Sequence, residues 1–167
     1  MSTRAIVVGG GIYGWGCALR MAQLGASVTV VDPRGVEDAE RASGGVTRVL
    51  RLEYGTAAVY SELTLRARAA WRQIEQATGA RKPRGTGPSG RCRQATRPRR
   101  NRPDVAVDPS RAMTPTEDPV IDRLADGRIV CAGFSGHGFK FAPVLAPAVA
   151  ELALGHEPSS DLRSFRR

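Results

Sequence analysis

The sequence predicts an α/β protein in which an amino-terminal βαβ unit is followed by a carboxy-terminal strand, loop and helix. Residues 5–8 are a short continuous apolar run, which is typical of a strand buried on both faces of a parallel sheet. Three glycines interrupt this run, a helical pattern follows over residues 12–24, and residues 27–31 are β-branched and apolar. Two strands joined by one helix of this length form a right-handed unit with parallel strands.

The remaining elements follow from helical spacing and turn residues. A second, amphipathic helix is predicted over residues 57–78, with Trp71 as a core anchor. Its apolar positions recur at helical spacing: Val59, Leu63, Ala67, Ala70, Trp71 and Ile74. Towards the carboxyl end, residues 128–132 favour a strand, residues 133–141 a glycine-rich loop and residues 142–154 a helix.

The net charge of +9 belongs to one segment of the chain. Residues 81–103 hold nine of the 25 Lys and Arg residues and no acidic residue, and the other 16 basic residues balance the 16 acidic ones. The segment has no aromatic, Leu, Ile or Val residue, so we expect it to be a disordered basic insert. Its charge makes nucleic-acid binding an alternative function. The segment lacks aromatic residues for base stacking, so we expect no specific nucleic-acid partner.

Composition excludes several other classes of protein. No apolar run approaches the roughly 20 residues that span a bilayer, and the amino terminus has no secretory pattern. The three cysteines lie far apart and suit a reducing compartment, so we expect a cytoplasmic protein without a metal site. The expected division is an amino-terminal portion (residues 1–80), an Arg/Pro/Gly-rich linker (81–112) and a carboxy-terminal portion (113–167).

A glycine fingerprint lies between the first predicted strand and helix. Residues 9–14 read Gly-Gly-Gly-Ile-Tyr-Gly and satisfy the pattern G-x-G-x-x-G. In this pattern Gly9 allows the tight turn, Gly11 the approach of a pyrophosphate, and Gly14 close packing of helix on strand. Asp32, at the end of the second strand, is placed to accept hydrogen bonds from a ribose hydroxyl and would repel a 2′-phosphate. The fingerprint therefore indicates an adenine dinucleotide, either FAD or NAD.

A longer pattern resembles one family of flavoenzymes. The run from Gly9 to Asp32 is similar to the opening of the FAD-dependent amine and amino-acid oxidoreductases of the D-amino-acid-oxidase-like family. Residues 42–51 resemble the flavin-proximal segment of the sarcosine oxidase and N-methyltryptophan oxidase branch. Residues 113–122 and 133–141 are similar to its carboxy-terminal flavin-covering segment. The resemblance covers residues 4–80 and 113–165.

This resemblance implies an activity and a set of site residues. Arg48 matches an arginine beside the flavin ring, expected to be catalytic, and Arg51 and Lys140 match a pair that grips the substrate carboxylate. The implied contacts to noncovalently bound FAD are Gly9, Gly11, Ile12, Tyr13, Gly14, Asp32, Ser43, Gly44, Gly136, His137 and Gly138. The implied reaction is hydride transfer to flavin from the C–N bond of a small-molecule amine, an amino acid or N-methyl amino acid.

The chain also departs from the family. Complete members are more than twice as long, and the basic insert stands where most of their substrate domain lies. Residues 109–112 supply no cysteine for covalent flavin attachment. The resemblance therefore leaves two functions open besides nucleic-acid binding: an oxidoreductase impaired by internal truncation, and a nonenzymatic remnant that binds dinucleotide weakly or not at all. The oligomeric state is also left open.

Overall fold

The computed structural model describes residues 2–33, 42, 50–52, 54, 57–79 and 113–166. It has the α/β fold class that the sequence predicts. In chain order the elements are β1 (Arg4–Val8), α1 (Ile12–Gln23), β2 (Ser27–Val31), α2 (Ala58–Thr78), β3 (Val120–Arg123), β4 (Ile129–Ala132), α3 (Gly138–Ala153) and a 3₁₀ turn (Arg163–Phe165). The expected basic insert falls outside the described residues.

The βαβ unit forms as predicted, with β1 and β2 parallel and in register from Arg4↔Ser27 to Val8↔Val31. The expectation that β1 is buried on both faces is wrong. Exposure alternates along the strand, and Ile6 and Val8 are 73% and 83% exposed. Helix α1 covers one face of the pair, whereas no described element covers the face that carries these two side chains.

The carboxy-terminal portion differs from the expectation at two places. Strand β3 was not predicted; it pairs antiparallel with β4, from Val120↔Ala132 to Arg123↔Ile129. Helix α3 begins at Gly138, so the last four residues of the predicted loop are its first turn. The glycine-rich composition of residues 133–138 favoured a loop here, since glycine is unfavourable inside a helix. Burial of Phe141, which is 1% exposed, holds the earlier turn in the helix.

Helix α3 is the centre of the core, because α1 and α2 both pack on it. Small residues allow the close approach of α1: a Cβ at Gly16 would lie 2.8 Å from the Cβ of Ala146. The Cys17 thiol donates a hydrogen bond to the Ala146 carbonyl over 3.2 Å. The contacts on α3 thus bring the amino-terminal and carboxy-terminal portions into one packed core.

A polar cluster lies between α1 and α3 near the carboxyl ends of both helices. The carboxylate of Glu151, which is 4% exposed, accepts hydrogen bonds from the Arg20 guanidinium at 2.8 and 2.9 Å. Its second oxygen accepts one from the backbone N–H of Ser159 at 2.6 Å. Buried charge is tolerated where such partners satisfy it.

None of the helices in the described ranges combines the length and the apolarity that crossing a membrane requires.

Candidate functional site

An open cleft of about 1620 Å³ lies between the amino-terminal and carboxy-terminal portions. One wall contains β1 and the start of α1, and the other contains β4 and residues 133–140. The two glycine-rich segments of the chain, residues 9–14 and 133–138, meet at one end of it. Its volume exceeds the roughly 300–1,000 Å³ of common ligand pockets, so a dinucleotide-sized ligand would occupy only part of it.

Each glycine of the first segment that the fingerprint singles out has a geometric role. Gly9 has a φ of +105°, which other residues rarely adopt, and its N–H donates to the Val31 carbonyl over 2.8 Å. A Cβ on Gly14 would lie 1.7 Å from the carbonyl oxygen of Gly9. Gly11 occupies the N-cap position of α1, in an extended backbone conformation. The segment therefore turns sharply out of β1 and presses the helix against it.

The amino terminus of α1 is suited to an anion. Gly11 provides no side-chain cap, and the first turn contains no acidic residue. The first N–H groups of the helix, those of Ile12 and Tyr13 among them, consequently have no capping side chain from Gly11. Such groups, together with the helix dipole, favour a phosphate. Because Ile12, Tyr13 and Gly14 line the cleft, the residues present fit a pyrophosphate.

Asp32 lies directly against the glycine segment. Its carboxylate accepts a hydrogen bond from the N–H of Gly10, and a Cβ on Gly10 would lie 3.1 Å from that oxygen. The sequence placed this aspartate at the end of β2, and it follows the last residue of that strand. The carboxylate thus fixes the glycine segment at the same edge of the sheet at which a ribose is expected.

The second glycine-rich segment is a tight turn held by its own backbone. Ser135 and Gly136 have φ values of +46° and +73°, and the N–H of His137 donates to the Phe134 carbonyl over 2.7 Å. The Ser135 hydroxyl accepts a hydrogen bond from the N–H of Thr114 at 3.1 Å and donates one to the Gly133 carbonyl at 3.2 Å. His137 caps α3, so its position is determined by the backbone of the turn.

Tyr13 joins the two glycine-rich segments. Its ring stacks on Phe134 with 4.0 Å between centroids, and its hydroxyl donates to the Gly138 carbonyl over 2.9 Å. Burial, aided by the nearby thiols of Cys131 and Cys17, raises the pKa of Tyr13 well above its usual value. Phe134 was not among the predicted site residues, since an aromatic within a glycine-rich run gives no spacing pattern.

Lys140 and Arg51 both line the cleft. Lys140 is only 8% exposed, and its Nζ lies 4.9 Å from the centroid of the Tyr54 ring and 5.0 Å from that of Phe141. The carbonyl of Lys140 accepts from Nε1 of Trp71 at 3.0 Å. Arg51 is exposed. The three other predicted site residues from this part of the sequence, Ser43, Gly44 and Arg48, lie outside the described residues.

Two further features near the cleft were missed from the sequence. The Tyr54 hydroxyl is buried without a hydrogen-bond partner among the described residues. Its ring contacts those of Tyr60 and Phe141, at 5.4 and 6.3 Å between centroids.

The second feature is a pair of buried thiols. Burial raises the pKa of the Cys17 thiol to about 12 and raises that of Cys131 as well. Within the described ranges no group of His, Cys, Asp and Glu side chains is arranged to hold a metal ion.

Comparison with known proteins places the chain among flavoproteins. A model of the family described as DAO, FAD dependent oxidoreductase, matches residues 4–110. The match thus includes part of the expected linker. N-methyl-L-tryptophan oxidases are similar over 55 residues: that of Salmonella newport (strain SL254) at 53% identity, that of Salmonella arizonae at 51% and that of Salmonella dublin at 49%. In each, the aligned segment covers 32% of this chain and 15% of the relative. No solved structure gives a significant match.

Proposed function

Because the chain belongs to the DAO family of FAD-dependent oxidoreductases, we propose that it binds FAD noncovalently in the cleft and oxidises the C–N bond of an amino acid or N-methyl amino acid. The observation that carries the proposal is the meeting of the two glycine-rich segments at the uncapped start of α1. The amino-terminal portion (residues 1–80) would hold the ADP half, and the carboxy-terminal portion (113–167) would cover the flavin.

The ADP half of FAD is assigned to the first glycine-rich segment. The N–H groups of Ile12, Tyr13 and Gly14 would bind the pyrophosphate, because they lie at a helix start that lacks a side-chain cap. Asp32 would accept hydrogen bonds from the ribose hydroxyls. Gly9 and Gly14 support this arrangement by geometry, since larger residues would displace the turn that brings the backbone to the phosphates.

The flavin half is assigned to the second glycine-rich segment and to the cations around the cleft. Backbone amides at Gly136, His137 and Gly138, with those at Ser43 and Gly44, would approach the ribityl chain or the ring. Bound flavin would supply a hydride acceptor, and a positive charge from Arg48 near the ring would stabilise the added negative charge.

Arg51 and Lys140 are proposed to orient the substrate by donating hydrogen bonds to its carboxylate. Both line the cleft, which supports their convergence on one ligand. The ammonium of Lys140 is held against two aromatic rings, so it is screened from water on that side. An ammonium in such surroundings binds a carboxylate more strongly than one in open solvent.

A second candidate is cofactor binding without turnover. The chain matches only 15% of the length of the oxidases, and its described strands form two separate pairs. A protein with the ADP site but an incomplete substrate domain would bind FAD without oxidising amines. The two candidates differ only in whether bound flavin is reduced.

Spectroscopic titration tests both candidates. The purified chain, stripped of flavin, is titrated with FAD, and the shift of the flavin absorption bands is recorded with ADP and, separately, FMN as competitors. We expect ADP to compete and FMN to compete weakly. Asp32→Ala should weaken FAD binding at least tenfold, whereas Asp161→Ala, at an exposed residue that does not line the cleft, should leave the affinity for FAD unchanged.

The second stage of the experiment adds N-methyl amino acids to the FAD complex without oxygen. Bleaching of the flavin band supports the oxidoreductase, and a stable oxidised spectrum supports binding without turnover. Failure of FAD to bind the wild-type chain would overturn both candidates.

A further inference from the structure

The body of the cleft lies between two strand edges. Every residue from 3 to 8 lines it on one side, and every residue from 127 to 132 lines it on the other. Alternate side chains of a strand point to opposite faces, so a cavity against a face would contact every second residue. A cavity that contacts consecutive residues meets the edge of the strand, where the backbone N–H and C=O groups project.

Each of these edges is the unpaired side of its strand within the described part of the chain. There, β1 pairs with β2 alone and β4 pairs with β3 alone. Unpaired edges present a row of hydrogen-bonding groups that favours another strand. The cleft body therefore has two such rows, one on each wall.

The two strands run in the same direction along the cleft. At their carboxyl ends, β1 and β4 lead into the glycine-rich segments that Tyr13 joins. At their amino ends, Thr3 and Gly127 both line the same cleft. A strand inserted between them could consequently pair parallel with both, and would link the two separate strand pairs into one sheet.

The floor of the cleft body determines which side chains such a strand needs. The cleft is lined from α1 by Cys17 and Met21 and from α3 by Val149 and Ala153. This floor is apolar, so every second residue of the inserted strand must be apolar. The other residues would lie on the side of Ile6 and Val8, which are exposed.

We propose that the cleft body is a binding site for an extended strand of a partner polypeptide with β-branched apolar residues at alternate positions. The partner is not a second copy of this chain held by its described strands. Each of those already pairs along one edge, and a strand between two walls needs both edges free. The inference stands independently of the flavin proposal, which concerns the end of the cleft at the glycine-rich segments.

Peptide binding to the full chain, without FAD, tests the proposal. The probe is an uncharged, fluorescently labelled hexapeptide of alternating Thr and Val, acetylated and amidated at its ends. We expect saturable binding of one peptide per chain, and amide hydrogen exchange slowed at least tenfold in β1 and β4 but unchanged in α2. The same peptide with N-methyl groups on two central residues should bind at least tenfold more weakly, because it loses hydrogen bonds on both edges.

A variant of the protein gives a second readout. Ala153→Trp should fill the floor and abolish peptide binding, whereas Ala69→Trp, on an exposed position of α2, should not. Equal binding of the N-methylated peptide, or no saturable binding by the wild-type chain, would overturn the proposal even if the Ala153 variant did not fold. Slowed exchange of β1 and β4 that depends on protein concentration alone would identify a second copy as the occupant and would also overturn it.

Discussion

The hydroxyl of Tyr13 donates a hydrogen bond of 2.9 Å to the carbonyl of Gly138, a residue 125 positions further along the chain. Tyr13 belongs to the first turn of α1, and Gly138 opens α3. The bond therefore connects the starts of two helices, each preceded by a glycine-rich turn. Stacking of the Tyr13 ring on Phe134 adds an apolar contact to the same connection.

Tyr13→Phe should weaken this connection without breaking it. The stack on Phe134 remains, but the carbonyl of Gly138 loses a donor in a partly buried position. We expect a loss of about 1 kcal/mol in the free energy of unfolding, measured by urea denaturation. Tyr13→Ala, which removes the stack as well, should cost distinctly more. Equal stability of the Phe variant and the wild type would show that the hydroxyl bond contributes nothing.

Gly14→Ala should disrupt the turn at the carboxyl end of β1. The added Cβ would lie 1.7 Å from the Gly9 carbonyl oxygen, so backbone atoms must move. We expect a destabilisation of about 2–4 kcal/mol in chemical denaturation, together with loss of FAD binding. Leu19→Ala on the same helix, where the side chain is 63% exposed, serves as the control and should change stability little. Wild-type stability of the Gly14 variant would contradict the close packing of α1 against the turn at Gly9.

Glu151 should make the chain sensitive to acid. Burial alone would raise the pKa of this carboxyl, but hydrogen bonds from Ser159 and pairing with Arg20 outweigh it and hold the pKa below the ordinary value of 4.5. A carboxylate with a depressed pKa in the folded state stabilises the protein above the unfolded-state pKa. That contribution is lost as the pH falls through the folded-state pKa.

The measurement for Glu151 compares thermal melting of the wild type and Glu151→Gln across pH. The wild type should be the more stable near pH 7, and the difference in melting temperature should shrink below about pH 4. Glu62→Gln, at an exposed position of α2, controls for general acid effects. A difference that stays constant down to about pH 2.5 would contradict the linkage to Glu151.

Two neighbouring tyrosines, Tyr54 and Tyr60, should respond oppositely to removal of the hydroxyl. Tyr60 donates to the Asp118 carboxylate, so Tyr60→Phe should cost about 1.5–2 kcal/mol, as is typical of a bond to a charged group. The Tyr54 hydroxyl is buried with no partner among the described residues, so Tyr54→Phe should be neutral or stabilising. Urea denaturation of the two variants measures this, and a destabilised Tyr54 variant would reveal a partner for its hydroxyl.

The sequence predicted the βαβ unit well because local rules determine it. Strand β2 and helix α2 lie within one residue of their expected bounds, and Gly9 and Gly14 have the backbone roles that the fingerprint assigns. Such features depend on neighbours along the chain, on φ angles that favour glycine and on apolar periodicity. These are visible in a single sequence.

The features that the sequence did not predict depend on distant residues. Burial on both faces of β1 was expected from its apolar run, but Ile6 is exposed because coverage depends on elements elsewhere in the chain. The early start of α3 depends on Phe141 packing into the core, which overrides the loop that the glycine-rich residues 133–141 favour. The stack of Tyr13 on Phe134 joins residues of two separate segments, and a single sequence contains no information on that pairing.

The reactivity of the Cys17 thiol is a probe of the interface between α1 and α3. It is buried, bonded to the Ala146 carbonyl, and has a pKa of about 12, so almost none of it is thiolate at neutral pH. Alkylating reagents attack the thiolate, so the folded chain shields this sulfur both by access and by protonation. Cys17 is only 6% exposed although it lines the cleft, so its alkylation should be slow in the folded chain and should accelerate when α1 and α3 separate.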